Sequence, residues 1–105
     1  MKKYIDNEQV KDLIENGILP DYEFLYTNEI IDIGDLLEKL PEHIKISNDE
    51  YWRVITHDSN KGNWIIKYRN KDDLLFHICN VEFIDVLFRS IKKLVIEYGI
   101  DIVKN

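Results

Sequence analysis

His77 and Cys79 are the residues best equipped for chemistry in this chain, and they lie two apart. At that spacing both fall on one face of a strand, and a thiol beside an imidazole is the raw material of a cysteine nucleophile. Reactive cysteines favour helix N-termini and exposed clefts. A helix is expected to start just downstream, so a small enzyme using His77 and Cys79 stands as an alternative. The plainer reading is a packed thiol and a partly exposed ring. His43, His57 and His77 could meet Cys79 or Asp58 around a metal. No pair has a ligand spacing such as CxxC or HExxH, so neither a metal nor another cofactor is expected. Glu29 with Asp32, and Asp72 with Asp73, are carboxylate pairs in a chain of 20 Asp and Glu, where proximity by chance is common. Nothing makes either pair a general acid, and Asp72-Asp73 reads as a turn. There is no Gly-rich phosphate loop and no GxSxG elbow. The expectation is a protein that is not an enzyme.

Aromatic and basic residues are more informative, because they concentrate on neighbouring strands. In Tyr51 to His57, Trp52, Val54 and Thr56 alternate with Tyr51, Arg53, Ile55 and His57. In Trp64 to Arg69, Trp64, Ile66 and Tyr68 alternate with Ile65, Lys67 and Arg69, and in Leu74 to Cys79, Leu74, Phe76 and Ile78 alternate with Leu75, His77 and Cys79. A helix covers one face of such a sheet. Matching the large aromatics places Trp52, Trp64, Tyr68 and Phe76 under it. The outer face then holds Tyr51, Arg53, Ile55, Ile65, Lys67, Arg69 and Leu75. Apolar, aromatic and Arg side chains together are the composition of interface hot spots, and also of an ordinary half-wetted sheet face. Tyr51, Arg53, Ile55, Ile65, Lys67 and Arg69 are therefore the candidate protein interface. The basic strip of Arg53, Lys67 and Arg69 beside Tyr51 also raises a single-stranded nucleic-acid binder as an alternative.

The rest of the chain must position that unit. Asp6 or Asn7 can cap a short helix whose face is Val10, Leu13 and Ile14, and Gly17 and Pro20 end it. Phe24, Leu25 and Tyr26 belong to a connector with one possible edge strand. Asp32 or Gly34 opens a second helix with Leu36, Leu37 and Leu40 as its stripe, closed by Pro41. Ile44 and Ile46 flank Lys45 in a brief strand, and Ser47-Asn48-Asp49 is turn chemistry. The loop from Asp58 to Asn63 and the turn Asn70-Lys71-Asp72 join the next strands into an antiparallel meander. From near Val81 a final helix aligns Ile84, Leu87, Phe88, Ile91, Leu94, Val95 and Tyr98 at helical spacing, ending at Gly99. The fold class is α+β: a three- to four-stranded antiparallel meander, with a long C-terminal helix and two short N-terminal helices on one face.

Length and composition agree. A chain of 105 residues forms one domain, 1–105, and buries roughly 65% of its unfolded surface, enough for a single core. No apolar run approaches the length of a membrane span. Met1-Lys2-Lys3-Tyr4-Ile5-Asp6 lacks the apolar core of a signal peptide. The lone Cys79 fits a reducing compartment. A cytoplasmic protein is expected. Residues 1–50 carry five lysines against thirteen carboxylates, a net of −8, and residues 51–105 a net of +2. Overall acidity speaks against general nucleic-acid affinity. The acidic half could complement a basic partner, though a solubilising surface is the plainer reading.

The chain has no alanine and is rich in Ile, Asn, Lys, Asp and Glu, as AT-rich bacterial or phage genomes encode. The order of Leu37-Glu38-Lys39-Leu40-Pro41, then Tyr51-Trp52-Arg53-Val54-Ile55, Asn63-Trp64-Ile65-Ile66-Lys67-Tyr68 and Leu94-Val95-Ile96-Glu97-Tyr98-Gly99-Ile100 resembles small uncharacterised accessory proteins of phages and prophages of gut bacteria. The resemblance covers residues 33–100 and carries no functional residues. It implies a non-enzymatic accessory protein. With the outer sheet face as the contact, the expectation is a protein that binds another protein or itself. A homodimer would cover apolar side chains left open by one-sided helix packing.

Overall fold

Two aspartates set where the first helices begin. The Asp6 carboxylate accepts from the Gln9 backbone N–H at 2.8 Å, and the Gln9 side chain accepts from the Asp6 N–H at 3.0 Å. This reciprocal box opens α1 (Asn7–Glu15). Asp32 and Asp35 repeat the exchange, both bonds at 2.9 Å, to open α2 (Ile33–Lys39). The computed structural model describes residues 2–19 and 31–102. The extended segment expected around Phe24, Leu25 and Tyr26 lies outside them. Beyond α1 the chain turns through Gly17 at φ +74°, and the Ile18 N–H returns to the Leu13 carbonyl at 2.8 Å.

Four strands follow: β1 (His43–Ile46), β2 (Asp49–Asp58), β3 (Asn63–Arg69) and β4 (Leu74–Asn80). They pair antiparallel in chain order, so the sheet is the expected meander with four strands. Side chains hold the connections. Asp58 accepts from the N–H groups of Asn60 and Lys61, and Asn70 from those of Asp72 and Asp73. The last helix, α3 (Phe83–Tyr98), ends at Gly99, whose φ of +64° lets the Ile100 N–H reach the Leu94 carbonyl at 2.9 Å.

All three helices lie on one side of the sheet. α3 packs on β3 and β4, and α2 packs beside α3. The core joins Val10 and Leu13 of α1, Leu36 of α2, and Ile84, Leu87, Ile91 and Leu94 of α3 to Ile44, Tyr51, Ile66, Tyr68 and Phe76 of the sheet. The architecture expected from the sequence is the one observed.

The assignment of side chains to faces is not. Cα partners share a face, and Tyr51 is opposite Ile44, Arg53 opposite Tyr68, and Ile55 opposite Ile66. Tyr51, Arg53 and Ile55 therefore point at the helices. Trp52 lies opposite His43 and Arg69, on the open face, and is 50% exposed. Pairing Asp58 with Asn63 across the intervening loop fixes this register. It sets His57 against Trp64, not Trp52 against Trp64. A shift of one residue exchanges every side chain between faces. A second irregularity lies in β4: Tyr68 pairs with Phe76 but Arg69 with Leu74, leaving Leu75 as the extra residue of a bulge. Leu75 packs against the core, while Leu74 is 51% exposed.

The open sheet face as a candidate binding surface

The uncovered face is built in rows by strand register. One row runs His43, Trp52, Arg69. The next runs Val54, Lys67, His77, and a third Thr56, Ile65, Cys79. Trp52 anchors the first row. Its ring tilts against that of His43 with centroids 4.9 Å apart, and His43 Nε2 lies 2.9 Å from Glu50 Oε1. This contact fixes one side of the indole and leaves the other to solvent. Val54, Ile65 and Lys67 are half-buried beside it, and Arg69 is exposed. Toward the β3–β4 turn a hollow of about 250 Å³ is walled by Lys67, Arg69, Lys71, Asp72, Asp73 and Leu74. Lys45, Lys67 and Arg69 share the face with Glu50 and, by the same alternation, Asp58, so its charge is mixed, with Lys67 and Arg69 as the cations nearest Trp52.

The six expected interface residues divide evenly. Ile65, Lys67 and Arg69 stand on the open face, whereas Tyr51, Arg53 and Ile55 stand under the helices. Tyr51 is 7% exposed and belongs to the core. Arg53 donates from Nη1 to the Leu40 carbonyl at 2.7 Å, with Nη2 3.7 Å from Glu42 Oε1. Beside it the Tyr68 hydroxyl donates to the Pro41 carbonyl. Burial raises the pKa of that phenol well above its ordinary value, although the Arg53 charge works the other way. Arg53 and Tyr68 thus clasp Leu40 and Pro41, the residues that follow α2, to the sheet by their carbonyls. Trp52 and Val54 are the residues that face assignment by alternation missed. Counting through the Asp58–Asn63 loop would have found them.

The chemistry-bearing side chains are dispersed. His77 and Cys79 are both exposed on the open face, but no hydrogen bond joins them among the described residues. Cys79 precedes the first residue of α3 by four positions, so it is not at the helix N-terminus. His43 and His77 lie on opposite edge strands. His57 is on the other face, against Trp64 at 4.6 Å. Among the described residues no three His, Cys, Asp or Glu side chains gather as a metal site, and no helix is long and apolar enough to cross a membrane. Comparison with protein families, with curated proteins and with solved structures found no match.

Proposed function

We propose that this chain is a cytoplasmic accessory protein that binds another protein through the open face of its sheet and catalyses no reaction. The observation that carries the reading is Trp52, half exposed and flanked by Val54, Ile65, Lys67 and Arg69. A rigid aromatic with an apolar surround and cations beside it is the composition of a binding hot spot. Lys67 and Arg69 beside Trp52 suit a partner that sets an apolar group over the indole and carboxylates next to it. The resemblance to phage and prophage accessory proteins is in keeping with this reading.

The test is capture of partners from cells of the source organism by tagged wild type, Trp52→Ala, and the double variant Lys67→Glu with Arg69→Glu. A partner held by wild type and lost from both variants is expected. Retention of the same partner by both sinks the proposal. Trp52 beside Lys67 and Arg69 also suits base stacking on single-stranded nucleic acid. A low-salt gel shift that Trp52→Ala abolishes would favour that second reading.

A further inference from the structure

β4 closes the sheet on its outer side, and among the described residues no strand pairs with it there. The two edges are unlike. β1 is only four residues long and carries Lys45, both ordinary protections against edge-to-edge pairing. β4 is seven residues long and reads Leu-Leu-Phe-His-Ile-Cys-Asn, with no Lys, Arg, Asp, Glu or Pro; the bulge at Leu75 interrupts its start and leaves Phe76–Asn80 as the regular edge. An edge of that kind presents a row of N–H and C=O groups as a template for another strand, although the Leu75 carbonyl already accepts from the Tyr98 hydroxyl at 3.4 Å. Beside it, on the helix side, a hollow of about 450 Å³ separates the strand from the outer flank of α3. Ile78, Phe88 and Ile96 line it with apolar surface, and Arg89, Lys92, Lys93 and the single carboxylate Glu97 with charge. Lys92 is paired with Asp12 at 2.6 Å and Lys93 with Glu97 at 2.9 Å, while Arg89 makes no ion pair among the described residues.

We infer that β4 accepts an added strand: an extended acidic segment of a partner protein, with carboxylates toward Arg89 and apolar side chains over Ile78 and Ile96. Main-chain bonds along the edge would supply affinity, and the hollow would read every second side chain. Charge selects the occupant. A second copy paired through β4 about a two-fold axis would offer Arg89 a strand with no Asp or Glu, and so would lack the carboxylates that answer its charge. The edge and the open face are separate surfaces, so this inference does not rest on the function proposed above.

A fluorescein-labelled peptide TVTETVTET, which puts Val and Glu on one side of a strand, is the probe. Its lysine counterpart TVTKTVTKT and a version with a central proline are the controls. Anisotropy gives affinity, and backbone amide shifts map the site. Expected are shifts at Leu74–Asn80, about tenfold weaker binding of the lysine peptide and of Arg89→Glu, and no binding of the proline peptide. Trp52→Ala should bind the acidic peptide as wild type does, which separates this site from the open face. Three results overturn the inference: acidic and lysine peptides binding alike, shifts confined to Trp52, Lys67 and Arg69, or no binding tighter than about 1 mM. Light scattering that shows a dimer, with β4 amides already protected and no peptide present, assigns the edge to a second copy instead.

Discussion

Ser90 lies in the middle of α3 with its side chain fully enclosed, and its hydroxyl has no hydrogen-bond partner among the described residues. A buried hydroxyl left unpaired costs about 1–3 kcal/mol, and alanine is the better helix former. Ser90→Ala should therefore raise stability by about 1 kcal/mol, read as a higher urea midpoint at unchanged slope. A lower midpoint means that the hydroxyl is satisfied after all. The aromatics divide just as sharply at this scale. Tyr68 is fully buried and bonded to the Pro41 carbonyl, whereas Trp52 is half exposed. Tyr68→Phe should cost about 1 kcal/mol, because the carbonyl at the end of α2 loses its donor. Trp52→Ala should cost less in stability than the same truncation of a core aromatic, for which about 3–5 kcal/mol is usual. If Trp52→Ala unfolds the protein, Trp52 is a core residue and the proposed surface is misplaced.

Elements were legible in the sequence where local chemistry determines them. Asp6 and Asp32 each sit four residues before the start of an apolar stripe, at Val10 and Leu36, and both proved to be reciprocal caps. Asp6→Ala should thus destabilise by about 1 kcal/mol, with the loss in far-UV circular dichroism midpoint as the readout. A change within error would mean that packing of Val10 and Leu13, not the cap, holds α1. The strands were legible for the same reason, since a period of two shows in composition alone. Which set of alternating residues meets the helices was not legible that way. Tyr51, Arg53 and Ile55 against Trp52, Val54 and Thr56 are nearly balanced in apolar character, so hydrophobicity does not decide. The hairpin loop decides, because it places His57 opposite Trp64. Arg53 misled for a further reason: a cation suggests solvent, yet this one is held under the helices by the Leu40 carbonyl. The bulge at Leu75 left no sequence mark, having neither Gly nor Pro.

At the scale of the whole molecule the uneven charge is partly used within the fold. The start of the chain is fastened to the start of α3: the Lys2 N–H donates to Glu82 at 2.7 Å, and its ammonium donates to Asp85 at 2.9 Å. Gln9 of α1 donates to the same Asp85 oxygen at 3.0 Å, and Asp12 of α1 meets Lys92 of α3. Asp12 with Lys92 and Glu42 with Arg53 join carboxylates of the acidic half to cations of the other half, whereas Lys2 runs the opposite way, from the acidic half to Glu82 and Asp85. Asp85 joins three segments and titrates. Partial burial acts to raise its pKa, but the hydrogen bonds from Lys2 and Gln9 and the charges of Lys2 and Arg89 outweigh it, so the folded pKa lies below the ordinary value. A depressed carboxylate contributes stability that is complete above its unfolded pKa and is lost as the pH falls through its folded one. Asp85→Asn should accordingly cost about 1 kcal/mol at neutral pH, a modest figure because the contacts are only partly buried. The gap to wild type should close as the pH falls below the ordinary aspartate value of about 4. Urea titrations of both proteins at neutral and acid pH measure it. A gap that persists unchanged in acid would assign the loss to packing or hydrogen bonding of the neutral side chain, not to the charge that ties the first residues to the last helix.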